Sequence, residues 1–127
     1  MEYTKELIDN VWEKGISVDG YNPDIVRKDA CGAWIIRDLF GDKDTMFGWE
    51  IDHIYPLSKL NELGKSEEAS NIINLRPLNV ANNNSKSDSY PEYKAKLTSD
   101  GENNIECDNL YVVNKQLQEQ LLTYFNL

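Results

Sequence analysis

Hydrophobic positions recur with helical spacing at both ends of the chain and with strand-like spacing between them. Residues 4–14 predict a first helix that Thr4 can cap and that Gly15 ends. A last helix is predicted from Asp108, which can cap it. The apolar face of the first helix is Leu7, Ile8, Val11 and Trp12, and that of the last is Leu110, Val113, Leu117, Leu121 and Tyr124.

The middle of the chain predicts short strands and one further helix. Residues 26–40 suggest two strands around a turn at Cys31 and Gly32, which would form a small upstream hairpin. Residues 49–51 and 75–78 predict two more strands, and 79–87 a short helix. Residues 58–72 form a long connection with a helical turn after Ser66, and 91–104 read as irregular. The expected fold is one α+β domain over residues 1–127.

Composition agrees with one globular domain. Of 127 residues, 40% are hydrophobic, and three Trp provide bulky core anchors. We expect a cytoplasmic protein without a membrane span, since no apolar run approaches about 20 residues and the N-terminus lacks a signal sequence. The two cysteines, Cys31 and Cys107, are expected to be reduced core residues. A structural zinc is not expected, because such a site needs four ligands.

Charge is unevenly distributed along the chain. The net charge is −9, which is unusual for a protein that binds nucleic acid. Residues 51–97 hold six acidic and six basic side chains, so the flanks carry the whole net charge. An acidic surface of this kind can bind a basic protein partner. The central segment is less repulsive to phosphate than the overall charge suggests.

Residues 49–88 carry the candidate chemistry. Asp52 and His53 are adjacent at a predicted strand end, and Pro56 is consistent with a turn that lets one bind a metal while the other handles a proton. In the following helix a polar stripe recurs at helical spacing. Its amide oxygens and ammonium group suit a hard cation and a phosphate. The members of the stripe are Asn79, Asn82, Asn83 and Lys86.

Three motifs in this order resemble the HNH nuclease family, also called ββα-metal or His-Me finger nucleases. The first is Asp52-His53-Ile54 with Pro56, and the second is Asn74-Leu75 with Pro77-Leu78. The third is Asn83 followed by Lys86-Ser87-Asp88. The resemblance is to small stand-alone bacterial members, and it covers roughly 40 residues. It implies a ββα-metal unit between the two terminal helices.

The resemblance also implies roles for these residues. His53 would be the general base, and Asn74 would fix the loop that orients it. Asp52 and Asn83 would bind one Mg²⁺ or Mn²⁺ ion through oxygen. The implied function is a metal-dependent endonuclease acting on nucleic acid, expected to be DNA. Candidate phosphate contacts are Lys86, Arg76 and Lys59.

The sequence leaves alternatives open for the metal ligand, for the basic residues and for the function. Asn82 is the alternative to Asn83 for the metal, since the two are adjacent. Asn79 and Asn82 stand where many members of the family have a second pair of zinc cysteines. Arg27, Lys28 and Arg76 could contact phosphates, but ordinary surface salt bridges are the favoured interpretation. The rival function is a catalytically silent HNH-like module that binds a protein through its acidic surface.

Overall fold

The computed structural model describes residues 3–127 and has an α+β architecture. Four helices and eight short strands are found in this part of the chain, and the strands pair antiparallel in twos. The helices are α1 (Lys5–Trp12), α2 (Leu57–Glu62), α3 (Val80–Lys86) and α4 (Lys115–Phe125). The strands are β1 (Val26–Lys28), β2 (Trp34–Ile36), β3 (Trp49–His53), β4 (Leu75–Asn79), β5 (Glu92–Lys94), β6 (Leu97–Asp100), β7 (Asn103–Glu106) and β8 (Leu110–Val112).

The centre of the molecule is the β3–β4 hairpin with α3 packed on it. The register pairs Trp49 with Asn79 and His53 with Leu75. Asn79 ends β4 and caps α3, since its side chain accepts a hydrogen bond from the backbone N–H of Ala81. Both strands and the helix were predicted within two residues. Asp52 and His53 therefore lie at the end of β3, as expected.

Helix α1 covers one side of this hairpin. Thr4 caps it by accepting a hydrogen bond from the N–H of Leu7, as predicted. Trp12 is fully buried and packs on Trp49 with ring centroids 5.3 Å apart. Together with neighbouring aliphatic residues these rings form a core beneath β3. The upstream hairpin β1–β2, also predicted, contributes Ile35 to the same core.

The last helix starts later than predicted. It begins at Lys115 with Asn114 as its cap, so Asp108 is not its N-cap. Leu110–Val112 is instead a strand that pairs with β5. A short apolar run rich in aromatic and β-branched residues is compatible with a helix or a strand. Here the pairing with β5 stabilises the strand. Residues 91–104 were also predicted as irregular, yet they contain β5, β6 and the start of β7.

A second core lies on the other side, where α4 meets the connection between β3 and β4. Leu121 and Phe125 of α4 pack in one cluster with Ile54 and Leu60. Leu60 belongs to α2, a helix that the sequence pattern did not predict. Cys31 is buried in the same cluster, and both cysteines are free thiols. Over residues 3–127, no helix is long and apolar enough to cross a membrane.

Candidate active site

Three residues singled out from the sequence line one cavity of about 250 Å³. Asp52 and His53 come from the end of β3, and Asn83 comes from the middle of α3. Pro56, after the strand, and Asp88, after α3, also line the cavity. The fold thus brings together a carboxylate, an imidazole and a carboxamide from two elements.

Asp52 is the most enclosed of the three, with 3% of its surface exposed. Arg76, its partner in the register of β4, donates from Nε to Oδ2 at 2.9 Å. Lys86 of α3 places its Nζ 3.2 Å from Oδ1. Each carboxylate oxygen therefore has one cationic partner. Because an ionised carboxylate has about four lone-pair sites, each oxygen can still accept one more interaction.

Lys86 does not reach solvent, so the expectation that it contacts a phosphate is wrong. Its exposed fraction is 0%. Besides its ion pair with Asp52, its ammonium donates to the carbonyls of His53 and Ile54, both at 3.1 Å. Burial lowers its pKa, and the charge of Asp52 opposes this effect. Lys86 therefore ties α3 to the end of β3 and neutralises Asp52.

Arg76 is not available for phosphate either. Its side chain is 11% exposed and its charge is paired with Asp52. The guanidinium group also lies over the ring of Tyr93, 5.2 Å from the centroid. The guanidinium group of Arg76 and the ammonium group of Lys86 therefore both lie in the interior. Lys59, the third candidate, lies on α2 next to the cavity residue Ser58 and is partly exposed, so its phosphate contact stays a prediction.

The predicted polar stripe of α3 faces inward over most of its length. Asn79 and Asn82 are both buried. The side chain of Asn82 accepts from two backbone N–H groups at 2.8 Å and donates to Asp29 and to the carbonyl of Leu97 at 3.0 Å. Its hydrogen-bonding capacity is used up, and it cannot replace Asn83 in the cavity.

Asp29 joins the upstream hairpin to α3. Its carboxylate is 1% exposed and accepts four hydrogen bonds of 2.9 to 3.0 Å. Burial raises its pKa, and these hydrogen bonds oppose the shift. Asn79 and Asn82, where many members of the resembled family have zinc cysteines, are two of its partners. In this chain a carboxylate links the two segments. The four donors are the backbone N–H groups of Cys31, Ala33 and Asn79 and the Nδ2 of Asn82.

Asn83 has a carboxylate neighbour that the sequence reading did not single out. Its Nδ2 donates to Oε1 of Glu50 at 3.1 Å. A carboxylate only accepts hydrogen bonds, so the NH₂ group must be the end that faces Glu50, and Oδ1 lies on the other side. The signal for Glu50 was available, because residues two apart on a strand share a face and Glu50 precedes Asp52 by two.

His53 is partly buried, and its Nε2 lies 3.1 Å from Oγ of Ser70. Burial lowers the pKa of His53 below its ordinary value. The charge of Lys86 lowers it further, and that of Asp52 opposes both effects. The fold therefore favours the neutral imidazole. Ser70 comes from the long connection, where no periodic pattern marked it.

Asn74 lies between the chain after His53 and the connection that carries Ser70. It is fully buried, and its Oδ1 accepts from the N–H of Tyr55 at 2.7 Å. Its Nδ2 donates to the carbonyls of Tyr55 and Ala69 at 3.1 and 2.9 Å. These bonds hold both segments in place. That they orient His53 during a reaction stays a prediction.

The electrostatic surroundings of the cavity differ from expectation. The neutral charge balance of residues 51–97 suggested a segment open to phosphate, but among residues 3–127 no Lys or Arg side chain lines the cavity, and Asp88 does. A neighbouring cleft shares Asn83 and contains Glu50. The cavity lacks basic side chains from the described part of the chain because Lys86 and Arg76, which were expected to contact phosphate, point into the protein interior.

The donor set of the cavity fits a hard cation. Asp52 and Asn83 offer carboxylate and amide oxygens, the ligands that Mg²⁺ and Mn²⁺ prefer. The charges of Lys86 and Arg76 oppose a divalent ion, so weak affinity is expected. Within the described range, residues 3–127, no group of three or more His, Cys, Asp or Glu side chains could hold a metal ion.

Comparisons of the chain with protein-family models, curated proteins and solved structures gave no significant match.

Proposed function

We propose that this protein is a metal-dependent endonuclease that hydrolyses phosphodiester bonds, with DNA as the expected substrate. The observation that carries the proposal is the shared cavity of Asp52, His53 and Asn83 at the junction of β3 and α3. The order of the three motifs, which resembles the HNH family, supports the same reading. A cytoplasmic location is part of the proposal, since both thiols are free.

In the proposed reaction, neutral His53 accepts a proton from a water molecule, whose oxygen bonds to phosphorus as the bond to the 3′-oxygen breaks. The departing 3′-oxygen takes up a proton from solvent water. The products carry 5′-phosphate and 3′-hydroxyl ends. Asp52 and Asn83 would hold a divalent ion, which supplies Lewis-acid stabilisation of the charge on the phosphate. Lys86 and Arg76 hold the carboxylate of Asp52 in place, and they do not contact substrate.

Nicking of supercoiled plasmid with Mg²⁺ or Mn²⁺ tests the proposal. His53→Ala should lower the rate by about 10²–10⁴-fold, the usual scale for loss of a general base. Asn83→Ala should also lose cleavage, whereas Asn84→Ala, at an exposed neighbour on the same helix, should not. Cleavage that is equal in wild type and His53→Ala would remove His53 from the mechanism.

The acidic character of the molecule supports a second candidate, a silent module that binds a basic protein. The net charge of −9 favours it, as does a cavity that no Lys or Arg among residues 3–127 lines. Two results together would support this candidate over the endonuclease. The wild-type protein would bind a basic partner and release it as salt concentration rises, and it would cleave neither plasmid nor RNA with either metal.

A further inference from the structure

The chain has one histidine, His53, and a hydrogen bond positions its imidazole. Nε2 of His53 lies 3.1 Å from the hydroxyl of Ser70. A neutral imidazole carries its proton on one nitrogen and a lone pair on the other. A serine hydroxyl can donate or accept, so the direction of the Ser70 bond and the protonation of the other nitrogen are linked.

Ser70 is held in position by its neighbours in the chain. Ala69 is 1% exposed and packs in the core that contains Ile54. The carbonyl of Ala69 accepts from Nδ2 of Asn74 at 2.9 Å, and the same side chain bonds the backbone of Tyr55. Since Tyr55 follows His53 by two residues, Asn74 fixes the two segments relative to one another.

We propose that Ser70 is a positioning residue for His53. Its hydroxyl accepts the Nε2–H proton and so leaves the lone pair on Nδ1, the nitrogen that would take a proton from water. This inference rests on the proposed function for its catalytic consequence, but the tautomer itself is a property of the folded protein. It also assigns a role to the long connection 58–72, because that segment supplies the hydroxyl of Ser70.

The first test is nuclear magnetic resonance of ¹⁵N-labelled protein. Because there is a single histidine, one pair of imidazole nitrogens appears, free of overlap. At about pH 8, well above the ordinary histidine pKa of about 6.5, the ring is neutral. We expect the shift of a protonated nitrogen at Nε2 and of an unprotonated nitrogen at Nδ1. The reverse assignment would overturn the proposal.

The second test compares Ser70→Ala, Ser70→Thr and a matched control, Ser66→Ala, whose exposed side chain lies in the same connection. Ser70→Ala should populate the other tautomer and lower kcat by about 10–100-fold, the scale seen for partners that orient a functional group. Ser70→Thr retains the hydroxyl and should restore most of both properties. The control should match wild type.

The outcomes separate this inference from the proposed function. Wild-type protein that cleaves no nucleic acid would reject the endonuclease, while its spectrum would still decide which nitrogen Ser70 holds. An active wild type whose tautomer and kcat are unchanged in Ser70→Ala would reject the role of Ser70 alone. Thermal unfolding of each variant shows whether a loss of activity reflects a loss of folding.

Discussion

Lys86 extends from α3 to within 3.2 Å of the carboxylate of Asp52 at the end of β3, and none of its side chain is exposed. The two residues face each other inside the protein, and Arg76 completes the ion group from β4. Removal of one member of a buried ion group leaves an uncompensated charge, which is far more costly than loss of an exposed pair. A substitution of Asp52 therefore changes folding and chemistry together.

Lys86→Met should be strongly destabilising. The substitution keeps the length of the side chain but leaves the carbonyls of His53 and Ile54 without their donor. We expect a loss of about 3–5 kcal/mol in the free energy of unfolding, measured by urea denaturation. Lys94→Met, at an exposed position of β5, is the control and should change stability by less than about 0.5 kcal/mol. Equal stability of the two variants would show that the ion pair does not hold α3.

His53 should make stability depend on pH in one direction. Its pKa is lowered in the folded state, mainly by burial. As pH falls below about 6.5, the unfolded chain therefore takes up the proton first, and the free energy of unfolding decreases. This decrease should stop once pH is below the folded-state pKa. Subtracting the pH profile of His53→Ala from that of wild type isolates the effect, and a difference that grows as pH falls would contradict it.

Cleavage should follow the same ionisation. If neutral His53 is the base, the acid limb of the rate profile should have its midpoint below pH 6.5, the ordinary value of histidine, because burial favours the neutral ring. The measurement is the plasmid-nicking rate at saturating Mg²⁺ as a function of pH. A midpoint above the ordinary value would indicate a different base.

Glu50→Gln should weaken metal binding without unfolding the protein. A glutamine can both donate and accept, so the amide of Asn83 would be free to turn its NH₂ group toward the cavity. We expect Mn²⁺ affinity, measured by electron paramagnetic resonance, to fall by about 10-fold. Glu62→Gln on the exposed side of α2 is the matched control. Unchanged affinity would mean that Glu50 does not orient Asn83.

Binding to duplex DNA should depend only weakly on salt. The slope is about −0.9 for each phosphate neutralised. With Lys86 and Arg76 buried, and Arg27 at 8% exposure, Lys59 and Lys28 remain as plausible contacts. We expect a slope no steeper than about −2 in a titration of binding against salt concentration. A slope near −6 would require a basic surface elsewhere on the molecule.

The sequence predicted the centre of the fold better than its periphery. Periodicity located α1, β3, β4 and α3 because each has a clear apolar pattern or a strong cap. It misplaced Leu110–Val112, where a short apolar run fits a strand or a helix, and it missed α2. These short elements are stabilised by partners distant in sequence, which no local window contains.

The same limit applied to the site. Asp52, His53 and Asn83, which the motifs single out, line one cavity, and their roles stay predictions. The inward direction of Lys86 was not foreseen, since a polar stripe on a helix normally faces solvent. Glu50 could have been found from strand alternation. Ser70 could not, because its approach to His53 depends on how the connection packs on the core.

The four hydrogen bonds that converge on Asp29 set a lower limit on the size of an autonomous folding unit. The segment that resembles the nuclease motif begins at residue 49, but the cap of α3 at Asn79 and the neighbouring Asn82 are both bound to a carboxylate twenty residues upstream of that point. A fragment trimmed to the motif would expose these donors and lose the ordered start of the helix. Transplantation of this site into another scaffold therefore has to include the hairpin β1–β2.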